Sequence, residues 1–271
     1  MEEQKLIDIK QLIKSKNPVL LKFLPGFVIR YLKKVLHQDE INEFLTKHKD
    51  KKNEDFASAV INDFNIKVKV KGLENIPKEG GLTIVMNHPL GGMDAMALIH
   101  ALRPVRTDLK FIVNDLLLNL KGMTGMFVGV NKFARNTGKT FTDVDKLFAS
   151  DNVICIFPAG LVSRKKKGLI RDLDWKKTFV TQSRKYNHPV VPVYIDGKLS
   201  NFFYRLSNFR TSLGIKANIE MLYLADELYK QKNVEMNLVI GKPIEAASMD
   251  RSKSDKAWAA QIKNNVYDLE K

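Results

Sequence analysis

His88 is followed at Asp94 by a carboxylate, with Pro89, Leu90, Gly91, Gly92 and Met93 between them. An imidazole near its ordinary pKa of about 6.5 takes a proton from an attacking hydroxyl at neutral pH, assistance worth ~10²–10⁴ in rate. A carboxylate on the other ring nitrogen fixes the tautomer and stabilises the imidazolium that forms. No Gly-x-Ser-x-Gly elbow supplies a protein nucleophile, so the substrate has to bring the hydroxyl. Gly91 and Gly92 let backbone approach a ligand closely, and amides there or at the next helix start can face a developing oxyanion. On that spacing alone a turn histidine bonded to backbone is the plainer description. One His and one Asp need support from elsewhere in the chain.

A second constellation supplies it. The apolar run Val153 to Phe157 ends in Pro158, Ala159 and Gly160, and Ser163 then leads into four consecutive cations, Arg164 to Lys167. Between residues 164 and 185 stand nine Lys/Arg, against Asp172 and Asp174. Such a charge run describes a solvated loop, yet at a strand end the same cations can hold a phosphate. Beside an anionic membrane each cation adds ~1 kcal/mol.

Both constellations need strands to deliver them. Leu82 to Met86 is a short apolar run that ends at Asn87-His88, and the glycine turn after it opens an amphipathic segment through Leu102. Asn65 to Lys71 alternates strictly, with Ile66, Val68 and Val70 on one face and three lysines on the other, a half-exposed strand. Further strands are expected at 111–113, 126–130, 153–157, 190–195, 218–224 and 235–240. Helical patterns lie between them at 115–120, 140–148, 175–186 and 200–209, and a last amphipathic helix carries Trp258, Ile262, Val266 and Leu269. Strands alternating with helices predict an α/β fold, a mixed, largely parallel sheet flanked by helices. Before it stands an N-terminal amphipathic helical segment. The expected division is 1–64 for that segment and 65–271 for the catalytic domain.

Within the N-terminal segment, Pro25 suits a first helical turn and the pattern runs to His37. Phe27, Val28, Tyr31, Leu32, Val35 and Leu36 fall on one half of the wheel; Arg30, Lys33, Lys34 and His37 fall on the other. An apolar face opposite a cationic one describes a helix lying in a membrane interface. The same wheel fits a helix packed on the domain with its lysines in water, and one segment can do both. The formal net charge of +15 over 271 residues asks for a polyanionic neighbour: nucleic acid, an anionic membrane surface or a phosphorylated cofactor. A single cysteine, Cys155, excludes an internal disulfide framework and fits a reducing compartment; in its apolar run it reads as a small buried residue. No apolar run approaches the ~20 residues that span a bilayer, and the start of the chain lacks the charged-then-apolar order of a signal peptide. The expected location is cytoplasmic and peripheral, on the inner face of the cell membrane.

Taken in order, these stretches resemble the lysophospholipid acyltransferase family, whose best-known members acylate 1-acylglycerol-3-phosphate. The likeness covers roughly residues 66–245. Val68-Lys69-Val70-Lys71-Gly72-Leu73-Glu74-Asn75-Ile76-Pro77 is similar to the family's lead-in, Asn87-His88 through Asp94 to its His/Asp motif, and Gly125-Met126-Phe127-Val128 to the start of its second block. Phe157-Pro158-Ala159-Gly160 resembles the third block, Val191-Pro192-Val193 the fourth, and Gly241-Lys242-Pro243-Ile244 the closing strand end. Six matches in order are a strong signal where any one would be weak. The resemblance implies acyl transfer from acyl-CoA or acyl carrier protein to a lysolipid hydroxyl, with His88 as base, Asp94 as its partner, and no metal or bound cofactor. The residues expected to bind substrate are Asn87, Gly91, Gly92, Asn131, Lys132, Pro158, Ala159, Gly160, Ser163 and Arg164.

Three departures qualify it. Five residues rather than four separate His88 and Asp94, so the loop has to bulge. Asn131 stands where the family has an arginine for the acceptor phosphate. Ala159 replaces the glutamate of the third block, and Val162 its arginine. The catalytic pair is kept while the phosphate readers are altered, so the acceptor is expected to differ from lysophosphatidic acid. A branch that O-acylates lyso-aminoacyl lipids, of ornithine or glycine type, shows a similar Asn-His-Pro-x-Gly-Gly and Phe-Pro-Ala-Gly character. Arg164 or Lys132 could then bind a carboxylate or phosphate by another route. Three rival readings remain: a nucleic-acid binder, which the basic segments fit poorly without interleaved aromatics; a metal hydrolase, which needs ligands beyond His88 and Asp94; and a silent scaffold.

Overall fold

Leu82–Met86 is apolar on both faces apart from Thr83. In the computed structural model, which describes residues 7–129 and 144–270, all of it is buried as strand β2. A strand of that composition belongs inside a parallel sheet covered by helices on each face. The main sheet has seven strands: β1 (Lys67–Lys71), β2, β3 (Leu109–Val113), β4 (Phe127–Gly129), β5 (Val153–Ile156), β8 (Val190–Ile195) and β9 (Glu235–Ile240). Between β5 and β8, β6 (Arg164–Lys166) and β7 (Leu169–Arg171) form a separate hairpin. The sheet order is β1-β9-β8-β2-β5-β3-β4. β8, β2, β5, β3 and β4 run parallel, β9 joins β8 antiparallel, and β1 pairs parallel with β9. This is the mixed, largely parallel sheet with flanking helices that the sequence predicts.

The topology decides where chemistry can sit. After β2 the chain crosses through helix Gly92–Leu102 to β3, on the far side of β5. After β5 it passes through the hairpin and helix Thr178–Tyr186 to β8, on the opposite side of β2. Adjacent strands thus send their connections in opposite directions, which opens a crevice at their carboxyl ends. One face of the sheet packs on helices Thr178–Tyr186 and Asp255–Asp268 through Val85, Phe179, Val180, Val190, Ile262 and Val266. Helices Asn53–Asp63 and Gly92–Leu102 pack against each other, with Phe56, Ile61, Met93 and Leu98 buried.

Two compact units divide the chain, and the expected boundary at residue 64 is drawn differently. The sheet unit spans Lys52–Lys198 and resumes at Asn233; the helical unit joins residues up to Lys51 with Leu199–Lys232. Helix Asn53–Asp63 falls in the sheet unit because Phe56 to Ile61 are all buried. In the helical unit the expected strand at 218–224 is a 3-10 turn, Ile219–Tyr223. Buried Glu220 faces Arg210 there at 2.5 Å, which gives its carboxylate a partner no strand pairing supplies. The helix expected from Pro25 is Gly26–Val35, with Pro25 at its N-cap, and two further helices, Ile9–Lys16 and Pro18–Phe23, precede it. The 115–120 pattern is a 3-10 turn, Asp115–Asn119, and helix Asn201–Ser212 begins at Ser200, whose side chain accepts from Phe203 N.

Candidate active site

β2 ends at Met86, and the crevice begins with Asn87. Its side-chain amide donates to Ile195 O at 2.8 Å and accepts from Ile195 N at 2.7 Å. A clamp of this kind fastens the ends of β2 and β8 and aims the next residue, His88, out of the sheet. The substrate contact expected of the Asn87 side chain is not found, because the amide is buried and taken up by backbone.

The loop after His88 bulges as its extra residue requires. Gly91 takes φ +77, a conformation that other residues adopt only under strain. Gly92 then opens the helix and places Asp94 in its first turn. Asp94 Oδ2 accepts from Leu90 N at 2.9 Å and Gly91 N at 3.0 Å, and lies 2.9 Å from His88 Nδ1. With two amides already donating to it, Oδ2 is an acceptor; the proton of the third bond therefore sits on Nδ1 and leaves Nε2 with its lone pair. Among the described residues Nε2 has no hydrogen-bond partner. Asp94 is wholly buried while the His88 side chain is 18% exposed, so it is the ring and not the carboxylate that reaches the surface. Burial pushes the Asp94 carboxyl above its ordinary value, against the pull of the neighbouring imidazole. Phe157 from the end of β5 stacks on the ring, centroids 4.0 Å apart.

Asp172, which the sequence does not single out, holds the His88 loop from the side. Asp172 Oδ1 accepts from the His88 backbone N–H at 3.2 Å and from Ser163 Oγ at 2.6 Å, and its Oδ2 accepts from Trp175 Nε1 at 2.9 Å. Ser163 N in turn donates to His88 O at 2.8 Å. Asp172 thereby ties the His88 loop to the segment after β5, and is itself held by Tyr267 Oη on its amide and by Lys263 on its carbonyl. The local signal is a pair of carboxylates, Asp172 and Asp174, standing among nine cations.

The remaining expected contacts sort by what the fold does with them. Ser163 is buried and its hydroxyl belongs to Asp172, not to an incoming ligand. Gly91 N–H is likewise bound to Asp94 and is not open to an oxyanion, whereas Gly92 stays exposed at the helix start. Pro158 and Ala159 are buried, Pro158 O accepts from Lys176 N, and Gly160 turns at φ +68. Arg164 is buried and donates to Val162 O at 2.7 Å. The lysines after it form the hairpin, not a loose loop: Lys167 and Gly168, at φ +48 and +83, are its two turn residues. Asn131 and Lys132 lie outside the described residues. Helix Gly26–Val35 has no buried residue: Phe27, Arg30, Tyr31 and Lys34 are exposed, Val28 and Lys33 partly so.

Comparison with known proteins gives a consistent result. A family model described as "Acyltransferase" matches residues 11–271. A protein of Bacteroides thetaiotaomicron named lyso-glycine lipid O-acyltransferase is 47% identical over 269 residues, covering 97% of each chain. A protein of the same name from Phocaeicola vulgatus is 46% identical, covering 97% of this chain and 95% of its own. The crystal structure of the 1-acyl-sn-glycerophosphate acyltransferase PlsC from Thermotoga maritima superposes with a TM-score of 0.50 at 19% identity, over 96% of this chain and 91% of that one; it shares the fold.

Proposed function

The chain belongs to the acyltransferase family, and from that premise we propose that it moves a fatty acyl group onto the hydroxyl of a lyso-glycine lipid. The donor is a thioester, acyl-CoA or acyl carrier protein. The acceptor hydroxyl attacks the thioester carbonyl carbon while His88 Nε2 takes its proton. The C–O bond forms, the C–S bond breaks, and the departing thiolate leaves with the proton from the imidazolium. Asp94 holds the ring and balances its charge during transfer. The observation that carries this reading is the bond from His88 Nδ1–H to a buried carboxylate that two backbone amides already fix. The acceptor follows from the relatives' substrate and from Ala159 and Val162, buried apolar residues where a phosphate reader is otherwise expected.

Both substrates are lipidic, and no helix among the described residues is long and apolar enough to cross a membrane. The enzyme works as a peripheral protein whose N-terminal helices lie in an anionic membrane interface. Val19, Phe23, Phe27 and Tyr31 recur every fourth residue and are exposed, Phe23 by 80% and Phe27 by 65%, with Lys22, Arg30 and Lys34 around them.

The test is transfer from a labelled acyl thioester to a panel containing lyso-glycine lipid, lyso-ornithine lipid and 1-acylglycerol-3-phosphate. Lyso-glycine lipid is expected to be the preferred acceptor, and His88→Ala to lower turnover by ~10²–10⁴ with unchanged melting. Wild-type turnover in His88→Ala removes the mechanism; preference for 1-acylglycerol-3-phosphate removes the acceptor.

A further inference from the structure

Helix Asn201–Ser212 is apolar on two faces. Phe203 and Tyr204 are buried within the helical unit. On the outer side Phe202, Phe209 and Leu213 fall within about 40° of one another at 3.6 residues per turn. Phe209 is 61% exposed and Leu213 58%, and Ile215 continues the patch. A helix in water shows one apolar face; a second one asks for a cover. Among the described residues, every exposed large hydrophobic side chain except Leu117, Leu118 and Leu169 belongs to the helical unit.

This outer stripe joins the N-terminal one. Phe202 meets the Tyr223 ring edge-on at 4.9 Å, and Tyr223 Oη bonds Tyr31 Oη at 2.9 Å. Phe202, Tyr223 and Tyr31 thus run unbroken from one helix to the other. Charge selects what covers them. From Ile9 to Gln38, and again from Lys198 to Ile219, the sequence contains no acidic residue, while Lys22, Arg30, Lys34, Arg205 and Lys216 are exposed. A second copy of such a face would bring like charges together, whereas anionic headgroups over acyl chains match both the cations and the apolar stripe.

We propose that the outer face of Asn201–Ser212, with Leu213 and Ile215, is a second membrane-docking element that inserts into an anionic bilayer surface beside the N-terminal helices. The proposal rests on the peripheral-membrane reading above and extends it to a segment nearly two hundred residues later in the chain.

Co-sedimentation of the full chain with vesicles of phosphatidylglycerol and phosphatidylcholine tests it. The double variant Phe209→Ser and Leu213→Ser removes only exposed side chains, so melting is expected to hold while vesicle binding falls about tenfold or more. Phe27→Ser reports on the N-terminal helices separately. If wild type binds, Phe27→Ser weakens binding and the double variant does not, the second element is overturned while the peripheral reading stands. No binding by wild type overturns both. If the double variant instead abolishes self-association and leaves vesicle binding intact, the face is a contact between copies and the proposal fails. A melting point lowered by the double variant sends the same measurement to Phe209→Leu and Leu213→Ala, which are expected to keep the fold and lose a smaller part of the binding; unchanged binding there also overturns the element.

Discussion

Asp94→Asn separates two roles that one carboxylate performs. Oδ2 accepts three hydrogen bonds, from Leu90 N, Gly91 N and His88 Nδ1, whereas buried Oδ1 has no partner. The two amides fix which atom of the asparagine goes where: its carbonyl oxygen replaces Oδ2 and its NH2 replaces Oδ1. The ring therefore keeps its tautomer, and what disappears is the negative charge beside the imidazolium of the transition state. Two unit charges ~4 Å apart at an effective dielectric of ~20 attract by about 4 kcal/mol, an upper bound here because the ring is partly solvated. At 1.36 kcal/mol per decade, kcat is expected to fall by ~10²–10³. KM should stay within about twofold, since Asp94 is wholly buried behind the Nδ1 edge of the ring. Stability carries the opposite sign. Burial raises the folded-state pKa of Asp94, so the stability this group contributes is present below its ordinary value and is lost as pH rises through the raised one. At pH 7 the raised folded-state value makes this buried carboxyl a net cost to stability, and the variant exchanges one unpartnered buried atom for another. Asp94→Asn should melt at or above the wild-type temperature at pH 7, and that advantage should shrink toward about pH 4. Steady-state transfer with a labelled thioester, paired with melting curves at both pH values, checks the two halves together. A kcat within threefold of wild type, or a melting point several degrees lower at pH 7, would refute the reasoning.

Two further substitutions test the scaffold around the pair. Asp172→Asn keeps the volume but turns an all-acceptor carboxylate into a group that cannot serve His88 N, Ser163 Oγ and Trp175 Nε1 together; kcat should drop ~10–100-fold with KM little changed, and Asp172→Glu should not restore it. Equal losses in kcat and folded fraction would reduce Asp172 to a fold residue. Asn87→Ala removes both hydrogen bonds to Ile195 and leaves a buried N–H and C=O unpaired, so urea unfolding should show a loss of about 2–4 kcal/mol; a loss under 1 kcal/mol would mean the clamp adds little to the pairing of β2 with β8.

Most of the sheet was legible because its strands declare themselves locally. Val190–Ile195 and Glu235–Ile240 are bounded as their apolar patterns suggest, and the short apolar run Leu82–Met86 is a strand over those same residues. The hairpin was hidden for the opposite reason. Arg164–Lys166 has no apolar alternation, and only the positive-φ pair Lys167-Gly168 marks the turn, without the usual flanking strands of hydrophobics.

His88 and Asp94 were legible as a pair since only five residues of loop separate them and limit how far apart they can lie, and the glycines between them reveal the bulge. Asp172 could not be found that way: its carboxylate reaches a backbone amide 84 residues earlier, and nothing in its own neighbourhood encodes that partner. The same limit hid the helical unit, whose Tyr31 and Tyr223 meet across 192 residues. Periodicity and short-range spacing are properties of a few consecutive residues, so the chain's order alone settles them. Which distant carboxylate holds the His88 loop, and which remote helix shares an uncovered apolar face, are settled only when packing brings those segments to one place.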